Sequence, residues 1–147
     1  MKIAIACDHG GLELKDALVA KLGEWSHDVV DQGVNGPDSV DYPDYAFKVT
    51  DLVASGGADL GILVCGTGIG MSIAANKVPG IRAALAGDEF SARMARAHND
   101  ANVLCVGNRV LGLGSGVGVV KAWLDASFEG GRHQNRLDKI HSREPQK

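Results

Sequence analysis

Apolar residues recur along the chain in short runs, and stretches with helical spacing separate them. Lys2–Cys7 (KIAIAC) and Leu60–Cys65 (LGILVC) read as strands, as do Asp28–Asp31, Ile81–Ala86 and Asn102–Val106. Near-continuous Val/Ile/Leu/Ala runs of this length suit strands covered on both faces. Leu14, Leu18 and Leu22 share one stripe of a helix over Leu12–Leu22, which Gly23 can end. Gly33–Pro43 is the longest irregular stretch. Pro43 can open the next helix, with Ala46, Val49 and Val53 on its inner stripe and Gly56-Gly57 at its end. A short helix follows the third long apolar run to about Lys77, Pro79-Gly80 turns the chain, and Asp88–Ala97 is helical. A glycine-rich loop over Gly107–Gly118 is predicted to lead into a helix ending near Phe128, and Arg132–Arg143 is predicted as a charged terminal helix.

Strand followed by helix, five times over, implies parallel pairing with right-handed crossovers. The expected architecture is α/β: a three-layer α/β/α sandwich, Rossmann-like, with a doubly wound five-stranded parallel sheet. With 147 residues, the chain fits one domain, residues 1–147, that can bury its core without disulfides or metal.

Composition narrows the function. At 45% hydrophobic and 22% charged residues, the chain reads as globular and soluble. A net charge of −3 argues against nucleic acid or an anionic membrane as partner. No run approaches the ~18 apolar residues of a membrane span. The opening MKIAIACDHGG turns polar too soon for a signal peptide, so a cytoplasmic location is expected. Cys7, Cys65 and Cys105 are then expected as free thiols, with Cys7 and Cys105 in the core.

In doubly wound folds ligands bind beyond the carboxyl ends of the strands. Asp8 and His9 follow the first strand, Cys65 ends the third, Asp88 follows the fourth and Arg109 follows the fifth. The strongest local feature is Cys65-Gly66-Thr67-Gly68-Ile69-Gly70. Its glycines leave backbone N–H groups unshielded where a helix begins, which makes an anion hole, and a helix start favours thiolate at Cys65. The alternative is a dinucleotide loop beside an ordinary cysteine, with Asp88 as the ribose acid about 20 residues after Gly68. Against it, Met71 stands where a third glycine belongs, and the loop follows the third strand. Asp8 can be an N-cap, and His98 a helix-end histidine favoured by the dipole. From Phe128 on, the chain carries five basic and three acidic residues. Arg132 and Arg136 lie four apart on one helix face, suited to a phosphate or simply to solvent. No metal-ligand spacing is apparent, and no cofactor is expected.

Six runs occur together and in order: CDHGG at Cys7–Gly11, DYP at Asp41–Pro43, CGTGIGMSIAANKVPGIRAA at Cys65–Ala84, HNDANVL at His98–Leu104, GNRV at Gly107–Val110 and EGGRHQNR at Glu129–Arg136. With them the chain resembles the ribose-5-phosphate isomerase B family of sugar-phosphate isomerases, which also holds galactose-6-phosphate isomerase. The resemblance spans nearly the whole chain. It implies reversible, metal-free aldose–ketose isomerisation of a phosphorylated sugar, typically ribose 5-phosphate to ribulose 5-phosphate. Some members carry a glutamate base in the glycine-loop helix; here Cys65 is present and Ala74 and Ala75 leave no carboxylate, so the resemblance is to the cysteine type.

The resemblance further implies Cys65 as base, His98 as the group that opens the sugar ring and Asp8 as the handler of a hydroxyl proton. Thr67 is a hydroxyl relay, and the N–H groups of Gly66, Thr67, Gly68, Ile69 and Gly70 hold the oxyanion. His9, Arg109, Arg132 and Arg136 take the phosphate, and Tyr42 and Asn99 touch the sugar. It implies a homodimer, or a dimer of dimers, with sites between subunits. A tetrose or hexose phosphate is an alternative substrate. A non-catalytic nucleotide-binding module and an NAD-dependent oxidoreductase are the readings from other classes.

Overall fold

The computed structural model describes residues 1–145. In chain order the elements are β1 (Lys2–Cys7), α1 (Leu12–Glu24), β2 (Asp28–Asp31), α2 (Tyr42–Ala54), β3 (Leu60–Cys65), α3 (Ile69–Ala75), β4 (Ala83–Leu85), α4 (Glu89–Asn99), β5 (Val103–Gly107), α5 (Leu113–Asp125) and α6 (Arg132–His141). The strands pair in parallel in the order β2-β1-β3-β5-β4. Among the described residues no helix is long and apolar enough to cross a membrane.

Alternation along the strands divides the core in two. Ile3, Ile5 and Cys7 of β1, Ile62 and Val64 of β3, and Leu104 and Val106 of β5 pack with Leu14, Leu18 and Leu22 of α1, Ala92 of α4 and Trp123 of α5. Ala4, Ala6, Leu63, Cys65, Val103 and Cys105 face the other way, toward Ala46 and Val49 of α2 and Met71, Ala74 and Ala75 of α3. Helices therefore cover both faces. From β1 the chain passes into α1 on one face, and from β3 it passes into α3 on the other. The two loops diverge there and leave a crevice at the β1/β3 switch point.

Several boundaries differ from the sequence expectation. α1 runs through Gly23, expected to end it, to Glu24, and α4 and β5 shift by one or two residues, to Glu89–Asn99 and Val103–Gly107. β4 is only Ala83–Leu85, because Ile81 closes a turn onto Val78 before the strand begins. The helix expected to follow Gly118 starts at Leu113, with Gly114, Gly116 and Gly118 inside it, and ends at Asp125. Helix packing explains the glycines: a Cβ on Gly116 would stand 2.7 Å from Cδ1 of Leu14, and one on Gly118 2.5 Å from Oε1 of Glu89. The glycines let α5 lie close against α1 and α4. The last helix closes at His141 instead of Arg143.

Candidate active site

Cys65 is the last residue of β3, and only 6% of it is exposed. Its Sγ accepts the backbone N–H of Gly68 at 3.1 Å. That bond needs a sharp turn, which Gly68 makes in the left-handed region, φ 79° and ψ −11°, as the N-cap of α3. Ile69 donates its N–H to Oγ1 of Thr67 at 3.2 Å. Two of the five loop N–H groups are thus taken up by the loop's own side chains. Among the described residues, those of Gly66, Thr67 and Gly70 have no partner.

The neighbouring loops close around this one. Asp8 is nearly buried; its N–H reaches the Val64 carbonyl at 3.2 Å and its Oδ1 accepts from Gly10 N at 2.8 Å. Asn108 after β5 donates its Nδ2 to the Gly10 carbonyl at 3.0 Å and its N–H to the Cys65 carbonyl at 2.9 Å. Arg109 donates its N–H to the Gly66 carbonyl at 2.9 Å, which lays its guanidinium over Gly66. His9 is exposed, and its Nδ1 accepts the Val40 N–H at 3.2 Å. Tyr42, at the start of α2, packs its ring against Gly70. Asp8, His9, Tyr42, Cys65 to Gly70 and Arg109 therefore form one crown at the carboxyl end of the sheet.

The other four expected residues lie elsewhere. α4 runs back from the carboxyl end of β4, so His98 and Asn99, in its last turn, stand at the amino ends of the strands. Asp100 after them accepts from Arg82 Nη2 at 3.1 Å and also pairs with Arg96. Glu129 N donates to the Ala97 carbonyl at 2.9 Å, which sets the start of α6 beside this turn with Arg132 and Arg136 exposed on it. Strands of five or six residues separate the two groups by about 17–20 Å, so one chain does not bring His98 to Cys65.

The His98 ring stacks on that of His133 with centroids 4.2 Å apart and 12° between planes. Glu129 Oε2 lies 3.7 Å from His98 Nε2 and 3.6 Å from His133 Nε2. Burial, then the neighbouring His98 and Arg132, lowers the His133 imidazole below its ordinary value, against a smaller opposing effect of Glu129. Among the described residues this is the one trio whose ligand atoms gather within 4.8 Å, as a metal site would need. The near-parallel rings run their in-plane lone pairs side by side instead of converging them on an ion. Sequence spacing does not reveal Glu129 and His133 as a pair, because Glu129 precedes α6 and Gly130 and Gly131, both at positive φ, turn the chain between them. Asn108 was missed too. A cavity of about 740 Å³, lined in part by Asn76, Arg82, Asn99 and Leu137, lies at this end and not at Cys65.

Two residues of the dinucleotide alternative have structural employment. Asp88 caps α4, accepting from Ser91 N at 2.7 Å and Ser91 Oγ at 2.8 Å, and these bonds lower its pKa below the ordinary carboxylate value. Met71 is wholly buried between α3 and the sheet. Burial pushes the Cys7 thiol up to about 11 and raises Cys105 further; by position, Cys65 is the free cysteine that stands at the glycine loop.

The crown thus gathers a thiol, a carboxylate, an imidazole and a guanidinium at the carboxyl end of a parallel sheet, where ligands of such folds bind. Residues 3–140 match the Ribose/Galactose Isomerase family, and the chain belongs to that family. It is similar to ribose-5-phosphate isomerase B of Escherichia coli K12, 51% identical over 139 residues that cover 95% of this chain and 93% of that one. Its fold is similar to that of ribose-5-phosphate isomerase B of Clostridium thermocellum, with a TM-score of 0.96, 52% identity and coverage of 97% and 96% of the two chains. The Mycoplasma genitalium enzyme with bound ribulose-5-phosphate superposes with a TM-score of 0.93 at 48% identity, covering 96% and 94%.

Proposed function

We propose that this chain is a single cytoplasmic isomerase domain, residues 1–147, that interconverts ribose 5-phosphate and ribulose 5-phosphate through an enediolate. The observation that carries the reading is Cys65 Sγ at the switch point with the Gly68 N–H aimed at it. That donor solvates negative charge on sulfur better than it serves a neutral thiol. As thiolate, Cys65 takes the proton from C2 of the open-chain aldose. The electron pair passes through C1–C2 to O1, and the unpartnered N–H groups of Gly66, Thr67 and Gly70 stabilise the oxyanion. Cys65 returns its proton to C1, while a hydroxyl proton moves from O2 to O1 with Thr67 as relay. Gly68 and Ile69 shape the loop and lend their N–H groups to sulfur and hydroxyl.

Ring opening comes first. His98 protonates the ring oxygen and Asp8 handles the O1 hydroxyl proton. His9, Arg109, Arg132 and Arg136 take the phosphate, and Tyr42 and Asn99 contact the sugar. Because His98, Asn99, Arg132 and Arg136 stand at the opposite end of the sheet, a second copy supplies them, in a homodimer or a dimer of dimers. Exposed apolar groups border the crevice where that copy would sit: Ile69 and Ile73 one turn apart on α3, Leu85 ending the edge strand, and Phe90 in the first turn of α4. The bound ribulose-5-phosphate of the Mycoplasma genitalium relative supports the substrate class.

The test is a turnover screen over phosphorylated aldoses of four to six carbons, with and without chelator. Fastest turnover of ribose 5-phosphate, unaffected by chelator, is expected. A preference for a tetrose or hexose phosphate would keep the mechanism and change the substrate. Saturable NAD or ATP binding with no isomerase activity would overturn the reading in favour of a nucleotide module.

A further inference from the structure

Lys15, on α1, is completely buried. Its Nζ donates to Asp31 Oδ1 at 2.9 Å, to Asp31 Oδ2 at 2.8 Å and to Asn35 Oδ1 at 3.0 Å. The Asp16 carboxylate stands 3.6 Å away. The ammonium thus has an acceptor for each of its hydrogens. A buried ion pair of this kind is weak evidence for stability, since an apolar side chain of similar volume often serves the fold as well or better. What distinguishes this one is what it ties together.

Asp31 ends β2 and Asn35 lies four residues on, in the irregular segment that leads to α2. The root of the segment is fixed. Asp31 Oδ1 also accepts from Gly33 N at 2.8 Å, Cys7 N donates to the Gly33 carbonyl at 2.7 Å, and Val34 N donates to the Cys7 carbonyl at 3.0 Å. The far end reaches the crown twice. Val40 N donates to His9 Nδ1 at 3.2 Å, and two residues later Tyr42 packs on Gly70. An imidazole whose Nδ1 accepts a hydrogen bond carries its proton, when neutral, on Nε2. The segment therefore sets which nitrogen of His9 is the donor.

We propose that Lys15 is a positioning residue for His9: through Asp31 and Asn35 it holds the 33–40 segment so that the Val40 N–H occupies Nδ1 and leaves Nε2–H as the donor for a phosphoryl oxygen. This rests on the phosphate role given to His9 above. It explains why a cation is buried where an apolar residue would pack, and why its third acceptor comes from the segment itself.

The test compares Lys15→Met and Asn35→Ala with the unaltered protein by three measurements: hydrogen exchange of the Val40 amide, 15N shifts of the His9 ring, and kcat and KM for ribose 5-phosphate. Lys15→Met should lose Val40 protection and move the His9 nitrogens from a fixed Nε2–H signature toward the averaged values of a free imidazole. It should raise KM by about ten-fold, a change of ~1.4 kcal/mol, with kcat little altered. Asn35→Ala keeps the Lys15–Asp31 pair and should move the same quantities less far. If Lys15→Met does not fold, Asn35→Ala decides. Unchanged Val40 protection and His9 shifts in a folded variant overturn the proposal and leave Lys15 a role in stability alone. The first two measurements need no turnover. A shifted His9 signature in a protein inactive on every aldose phosphate would uphold the positioning and overturn the isomerase reading.

Discussion

The ring of Tyr42 lies against Gly70 so closely that a Cβ on the glycine would stand 2.7 Å from Cζ of the tyrosine. No side-chain Cβ fits there, so Gly70→Ala must push Tyr42 off the glycine loop. Since Tyr42 is assigned to the sugar, KM should rise several-fold while thermal stability changes little, α2 being anchored by Ala46 and Val49. Steady-state kinetics with a melting curve checks this. An unaltered KM would take Tyr42 out of the binding surface.

Cys65→Ala should nearly abolish turnover, by roughly 10²–10⁴-fold for a lost general base, while substrate still binds. The measurement is single-turnover kinetics beside equilibrium binding. Activity within a few-fold of the unaltered enzyme would remove Cys65 from the chemistry.

His98→Asn should depress activity on ribose 5-phosphate far more than on a four-carbon aldose phosphate, which has no free hydroxyl with which to close a furanose. Equal losses on the two substrates would mean that His98 positions the sugar and opens no ring. The comparison applies if the tetrose phosphate is a substrate.

Arg136→Ala should raise KM by about ten-fold or more, as expected for one charge-assisted contact to phosphate, and Arg136→Lys should recover only part of that. Because Arg136 and Cys65 stand at opposite ends of the sheet, mixing Cys65→Ala with Arg136→Ala protein should build some hybrid sites with neither defect. Activity above that of either variant is expected once mass spectrometry shows subunit exchange. Exchange without rescue would take Arg136 out of the site that Cys65 serves.

Alkali offers a test of the core. In the folded chain burial holds the Cys7 thiol at about 11, against an ordinary value of 9.0. Below pH 9 both states keep the proton and the contribution is fully present. Between 9 and 11 the unfolded chain releases its proton and the folded chain does not, so stability must fall as pH rises. Urea midpoints should decline over that interval, and Cys7→Ala should flatten part of the decline. An identical slope in Cys7→Ala would assign the loss to other groups.

Most of the fold was legible because the inner strands are buried on both faces and so carry unbroken apolar runs. The start of α5 was not, since LGLGSGVG reads locally as loop, whereas its glycines serve close packing against Leu14 and Glu89, a contact between distant segments. Within the site, the runs at Cys7–Gly11 and Cys65–Gly70 were readable as strand-end chemistry. Asn108, Lys15 and the His98–His133 stack were not, because each depends on a contact between segments far apart in sequence. That His98 faces away from Cys65 follows from the direction of α4, which the parallel pairing read from sequence already required, since a crossover helix must end at the amino ends of the strands.

The two sides of the sheet are not equally thick. β1 sends Ile3, Ile5 and Cys7 toward α1 and α5, but only Ala4 and Ala6 toward α2, where Ala46 meets them. α2 lies close to the strands for want of side-chain bulk, and that nearness lets Tyr42 at its tip reach the glycine loop. Methyl groups added at Ala4 or Ala6 would lift α2 like a wedge under a lever and draw Tyr42 back from Gly70. If Tyr42 serves the sugar as proposed, divergence on the thin side is tied to substrate affinity, whereas the thick side is freer to exchange one aliphatic residue for another.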